Sequence, residues 1–114
     1  MASKLYVVHG TPPCRTVFAT IKALGIDVDK YEVDFEKGEH LSPEFLKINP
    51  QHAVPVLVDD GKVICDSHAI STYLIDKYGK DDSLYPKDLY KRALVNEKLY
   101  FNIGSLYANT NLIW

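Results

Sequence analysis

Val54-Pro55-Val56-Leu57-Val58-Asp59-Asp60-Gly61-Lys62-Val63-Ile64-Cys65-Asp66-Ser67 is the stretch whose reading decides the fold. Val54–Val58 is a short apolar, β-branched run opened by a proline, which predicts a buried strand. Asp59-Asp60-Gly61 is a hairpin turn, because Asp and Gly tolerate the positive φ angles that a tight reversal needs. Lys62–Cys65 is then the returning strand. Asp66 and Ser67 carry side-chain oxygens that cap a following helix. Ala69, Ile70, Tyr73, Leu74 and Tyr78 form the apolar stripe of that helix, and Gly79 ends it. A hairpin and one helix cannot close a core alone, so the remaining strands lie upstream.

Upstream, Leu5-Tyr6-Val7-Val8 is a compact apolar run ended by His9-Gly10 and reads as a first strand. Thr11-Pro12-Pro13 is a helix-start signal, with a polar residue before proline. Val17, Ile21 and Leu24 share one face of that helix, and Gly25 is its C-cap. Tyr31, Val33 and Phe35 alternate with Glu32, Asp34 and Glu36, which predicts a half-buried second strand. Lys37-Gly38-Glu39-His40 is a turn. Ser42-Pro43 opens a short helix that Asn49-Pro50 ends. The order β-α-β-α-β-β-α predicts an α/β domain with a four-stranded mixed sheet and helices on its faces.

Downstream, residues 79–86 are polar with Gly and Pro and read as a linker. From Lys87 one long helix is expected. Its second half, from Leu99 through Leu106 and Tyr107 to Leu112-Ile113-Trp114, leaves no wide polar face and needs neighbours on several sides.

Composition narrows the function. The 114 residues carry a formal net charge of -2, which favours neither nucleic acid nor an anionic membrane as partner. No 18-residue apolar run predicts a spanning helix. Met1-Ala2-Ser3-Lys4 leads directly into strand, without a signal-peptide pattern, so the cytoplasm is the expected compartment. The two cysteines, Cys14 and Cys65, read as small, partly buried thiols and not as a disulfide. No Cys/His cluster has metal-ligand spacing, so no metal is expected.

Three segments carry chemistry. The first is the strand-to-helix turn Gly10-Thr11-Pro12-Pro13-Cys14. A dithiol oxidoreductase of this shape needs a thiolate where Thr11 stands. Thr11 therefore supports two readings: a plain helix cap, or a hydroxyl donor that holds another molecule's thiolate. The second segment is Asn49-Pro50-Gln51-His52-Ala53-Val54-Pro55. A proline opening a strand suits a cis bond in a tight turn, and such a turn exposes the backbone of Val54 to an added peptide strand. The third is Asp66-Ser67, a carboxylate for an amine beside a hydroxyl and free N–H groups for a carboxylate. Taken singly, the caps and the histidine are ordinary. Together they describe a receptor for a small peptide with an amine, two carboxylates and a thiol.

These residues carry a resemblance. Thr11-Pro12-Pro13-Cys14-Arg15, the run from Gly38 to Leu46, Asn49–Pro55, Asp66-Ser67-His68-Ala69-Ile70 and the run from Tyr78 to Pro86 resemble insect glutathione transferases of the epsilon class, or the closely related delta class. The resemblance implies a thioredoxin-like glutathione-binding domain over residues 1–80, a linker over 81–86, and the first helix of an all-helical C-terminal domain over 87–114, cut short. It implies that Thr11 is the catalytic hydroxyl, where the family carries serine. It implies that His40 and His52 bind the glycine carboxylate. The Val54 backbone, beside Pro55, would meet the cysteinyl unit. Asp66, where the family carries Glu, would bind the γ-glutamyl amine, and Ser67 the γ-glutamyl carboxylate. His68 lies near the same site. Leu106 and Tyr107 would give one wall of an electrophile pocket. Glutathione is the substrate, a small hydrophobic electrophile its partner, and a homodimer the full-length assembly.

Two functions follow. One is a transferase conjugating glutathione to electrophiles. The other is a glutathione-binding or scaffold module without useful turnover. Thiol-disulfide exchange is disfavoured by Thr11, although Cys14 remains as a thiol that glutathione could modify.

Overall fold

The computed structural model describes residues 3–108. The chain divides into two compact units, Met1–Gly79 and Lys80–Trp114. In the first unit the elements are β1 (Ser3–Val7), α1 (Pro12–Leu24), β2 (Asp29–Glu32), a 3₁₀ turn (Glu39–Leu41), α2 (Pro43–Ile48), β3 (Val56–Asp59), β4 (Lys62–Ile64) and α3 (Ser67–Tyr78). The four strands form one mixed sheet in the order β2-β1-β3-β4. β1 runs parallel to β2 and antiparallel to β3, and β3 runs antiparallel to β4.

Strand alternation builds two cores. Leu5 and Val7 of β1 and Leu57 of β3 face α1 and α3, and pack with Cys14, Val17, Ile21, Ile70 and Leu74. Val56 points the other way and meets Val33 and Phe45 of α2, with Tyr6 and Val8 beside them. Each fully buried Leu or Ile contributes about 2 kcal/mol over leaving it in water.

Local rules set the boundaries. Gly25 takes φ 67° and closes α1, a left-handed conformation in which a Cβ is strained. Ser42 accepts from Phe45 N–H at 3.2 Å and starts α2. Asp60 and Gly61, with φ 50° and 79°, form the two-residue turn between β3 and β4.

The second strand departs from expectation. It ends at Glu32, and all four of its residues are exposed. Val33 still donates to Val7 O at 2.8 Å and is buried, but the chain then turns, leaving Phe35 exposed. Alternation signalled a strand; an edge position with one neighbour makes it short.

The residue at the far end of β3 is unusual. Asp59 is wholly buried and accepts from Tyr73 at 2.6 Å, Lys77 at 2.7 Å, Tyr78 at 2.9 Å and Ser3. Burial alone would push this carboxyl up. The surrounding donors outweigh it and hold the group well below the usual carboxylate range.

The second unit contains α4 (Leu89–Phe101). Asp88 caps it by accepting from Lys91 N–H at 3.0 Å. The segment expected to be a linker folds onto this helix. Tyr85 donates to Asn96 at 2.8 Å, Arg92 stacks 3.8 Å from the Tyr85 ring centroid, and Arg92 Nε donates to Pro86 O at 2.7 Å. The expected long helix is present, and α4 passes without a break into π-helical winding over Asn102–Tyr107. Ile103, Gly104 and Ser105 are weak helix formers in succession, which lowers the cost of leaving α geometry there. Asn111 and the apolar Leu112-Ile113-Trp114 end lie outside the described residues.

Candidate functional site

The sheet register gathers four loops at one end of the strands. Tyr6 pairs with Val56 and Leu57 with Ile64, while Val33 bonds Val7. The segments after β1, after β2, before β3 and after β4 therefore leave the sheet together. They carry Thr11, His40, the His52–Pro55 run and Asp66-Ser67.

Thr11 sits at the N-cap position of α1, yet its side chain makes no cap bond. Its hydroxyl donates backwards to Val8 O at 2.9 Å. Pro12 and Pro13 have no N–H, so the helix start lacks two of its usual free donors. The Thr11 hydroxyl is thus the main side-chain donor at this turn. To meet a ligand its hydrogen must swing away from Val8.

The Val54–Pro55 peptide is cis. The β1–β3 ladder begins at Val56, so the Val54 backbone groups stand outside it. Sequence reasoning missed the residue that shapes this loop. Asn49 is buried, donates through Nδ2 to Ala53 O at 3.0 Å and accepts Gln51 N–H at 3.0 Å. It spans the turn that carries His52, whose φ of 48° is left-handed. An Asn ending a helix before proline was the available signal.

The His40 and His52 rings lie 6.2 Å apart, centroid to centroid. Phe35 stacks on His40 at 4.1 Å. The Nδ1 of His40 is buried without a hydrogen-bond partner among the described residues. Two imidazoles at this separation can share one small anion between them.

Asp66 caps α3, its Oδ1 accepting from His68 N–H at 2.9 Å and Ala69 N–H at 3.1 Å. Ser67 is the first residue of α3 and is half-buried. His68 is buried in the same turn. Leu106 is exposed and Tyr107 half-buried, both on the π-helical turn of the second unit.

The cysteines divide. Cys14 is wholly buried in the α1–α3 core, which removes it from the thiol exchange that its place in the turn suggested. Cys65 is exposed, contrary to the expectation of a partly buried thiol, because β4 is an edge strand that ends one residue before it. Desolvation by its neighbours nonetheless pushes its thiol up from the ordinary value. Among the described residues no group of three His, Cys, Asp or Glu side chains could hold a metal ion, and no helix is long and apolar enough to cross a membrane.

A four-stranded mixed sheet with this loop set defines a thioredoxin-like α/β domain. Residues 5–82 match the family model of the glutathione S-transferase N-terminal domain, and the chain belongs to that family. It is similar to a delta-class glutathione transferase of Nilaparvata lugens, with 56% identity and a TM-score of 0.90 over 93% of this chain and 50% of that one. It is similar to an epsilon-class enzyme of the housefly Musca domestica, with 52% identity and a TM-score of 0.89 over 93% of this chain and 49% of that one. A glutathione transferase homologue of Drosophila mojavensis, solved with bound glutathione, shares 51% identity with a TM-score of 0.91, over 94% of this chain and 49% of that one. The chain spans about half the length of these relatives.

Proposed function

We propose that this chain binds glutathione along the loop end of its sheet and that the protein it represents conjugates the bound thiolate to hydrophobic electrophiles. One observation carries the reading: the His40–His52 pair, 6.2 Å apart, emerges at the same end of the sheet as the cis Val54–Pro55 turn and the Asp66-capped helix start. The two imidazoles receive the glycine carboxylate. The backbone of Val54, beside Pro55, pairs with the cysteinyl unit as an added strand. Asp66 and Ser67 take the γ-glutamyl amine and carboxylate at the N-terminus of α3. His68 is buried in the same turn.

The chemistry is a matter of ionisation. A free thiol near ~8.5 is only about 3% thiolate at pH 7. Lowering it by about two units takes roughly 2.7 kcal/mol and yields about three-quarters thiolate. The Thr11 hydroxyl, turned from Val8 toward the sulfur, and the dipole of α1 act in that direction. The thiol proton leaves to solvent. The sulfur lone pair then forms the S–C bond as the electrophile's leaving group, or the π bond it adds across, takes up the electrons. The protein works as a cytoplasmic homodimer in detoxification.

A second reading, a glutathione-binding module without useful turnover, is favoured by the bond from the Thr11 hydroxyl to Val8 O. Calorimetry with glutathione and with γ-glutamylcysteine tests the binding reading. Glutathione should bind about tenfold more tightly, since it alone brings a carboxylate to His40 and His52. Equal affinities would remove the histidine pair from the site.

A further inference from the structure

We infer that Glu39 and Phe35 are positioning residues that preform His40 as the carboxylate receptor, with Tyr31 locking Glu39 from β2. The inference rests on the reading of His40 given above. His40 sits in a single 3₁₀ turn, Glu39–Leu41, too short to hold a ring by itself. Glu39 ties that turn to the strand end twice. Its N–H donates to Asp34 O at 2.9 Å, and its Oε1 accepts from Asp34 N–H at 2.8 Å. The Tyr31 hydroxyl donates to Oε2 of the same carboxylate. Between these anchors Gly38, at φ 73°, reverses the chain and donates to Phe35 O at 3.1 Å. The reversal lays the Phe35 ring against His40 at 4.1 Å and 30°.

The consequence for His40 is geometric. One face of its ring is covered by Phe35, and His52 lies 6.2 Å away. Its Nδ1 is buried and carries no partner among the described residues. A ring held this way has lost its rotamer freedom before the ligand arrives, so a carboxylate does not meet that cost on binding. The Tyr31 hydrogen bond, followed by the Asp34 N–H, also lowers the Glu39 carboxyl, which keeps it ionised and able to accept both donors.

Glu39→Ala, Glu39→Gln, Tyr31→Phe and His40→Ala in the full chain test this, with affinities for glutathione and for γ-glutamylcysteine measured by calorimetry. Glu39→Ala should weaken glutathione about tenfold and γ-glutamylcysteine less than about twofold, because only glutathione reaches His40. Glu39→Gln retains an oxygen for Asp34 N–H and should recover most of the loss. In a His40→Ala background Glu39→Ala should change glutathione affinity less than about twofold. If Glu39→Ala does not fold, Tyr31→Phe carries the test, with an expected loss of about threefold confined to glutathione. Equal losses for both ligands, no loss, or additive losses with His40→Ala would overturn the inference. If His40→Ala itself fails to separate the two ligands, the carboxylate reading falls and this one with it. If His40→Ala separates them and neither Glu39→Ala nor Tyr31→Phe does, only this inference falls.

Discussion

Lys77 donates to the wholly buried Asp59 at 2.7 Å, tying the last turn of α3 to the end of β3. Tyr73, Tyr78 and Ser3 fill the rest of the carboxylate's acceptor positions. Removing the acceptor strands three hydroxyls and one ammonium together. Asp59→Ala should destabilise the fold by about 3 kcal/mol, measured by urea unfolding. Lys77→Met should cost less, since its ammonium is partly in solvent and three hydroxyls still serve the carboxylate. Equal losses for the two variants would contradict this account.

The same carboxyl sets an acid limit. Its folded pKa lies below its unfolded value, so its stabilisation is complete above the unfolded value. It is lost as the pH falls through the acid range. Stability should be nearly level from pH 7 to about 5 and decline below about pH 4. Asp59→Asn should flatten that decline. An identical acid profile in parent and variant would place the acid sensitivity elsewhere.

Under the proposed function, turnover depends on Thr11. Pro12 and Pro13 supply no N–H, so its hydroxyl has few substitutes at this turn. Thr11→Val keeps the shape and removes the donor. The thiol of bound glutathione should then titrate about one unit higher, seen as lost thiolate absorbance at pH 7, while the tripeptide still binds. Thr11→Ser should match or exceed the parent, having no methyl to restrict its rotamer. Matching thiol titrations in Thr11→Val and parent would end the catalytic assignment.

Asp66 holds a structural duty that a binding experiment must separate. Its Oδ1 caps α3 through two backbone N–H groups. Asp66→Ser retains a capping oxygen and discards the charge. It should melt close to the parent yet bind glutathione more weakly by about 1–3 kcal/mol. Asp66→Ala should lose that affinity and about 1 kcal/mol of stability as well. Unchanged affinity in the serine variant would leave Asp66 a helix cap only.

In the second unit α4 buries none of its residues, and Leu89, Tyr90, Tyr100, Phe101 and Leu106 are exposed. Exposed large apolar side chains in this number favour association. The purified 114-residue chain should sediment as dimers or larger species at micromolar concentration, and Tyr100→Ser with Phe101→Ser should shift it toward monomer. A clean monomer in the parent would refute the prediction.

Much of the fold was legible in order. Ser42-Pro43, Gly25, Asp60-Gly61 and Asp66 each mark a boundary through chemistry that acts within three or four residues, and each stands where that chemistry put it. The apolar run Leu5–Val8 marked β1 but not its faces, of which Leu5 and Val7 enter one core and Tyr6 and Val8 pack on the other. The alternation of Tyr31, Val33 and Phe35 marked β2 but overstated its length. A period of two reports a strand's local geometry, but not whether a neighbour lies on both sides. The candidate site residues were legible as a set, and the register brings their loops to one end of the sheet. The Val8 carbonyl that takes the Thr11 hydroxyl, and the Asn49 bonds that shape the His52 loop, were not legible.

By itself the sequence determined the run of elements, the turns and the candidate site residues that the loops carry. All of these follow from interactions between near neighbours in the chain. Only the tertiary structure decided that His40 meets His52, that Tyr31 meets Glu39 and that Asp59 meets Lys77. Those meetings depend on strand register and on how α3 packs over the sheet. A side chain's bonding partner is set by which surfaces the folded core brings together, and no local pattern encodes that distance.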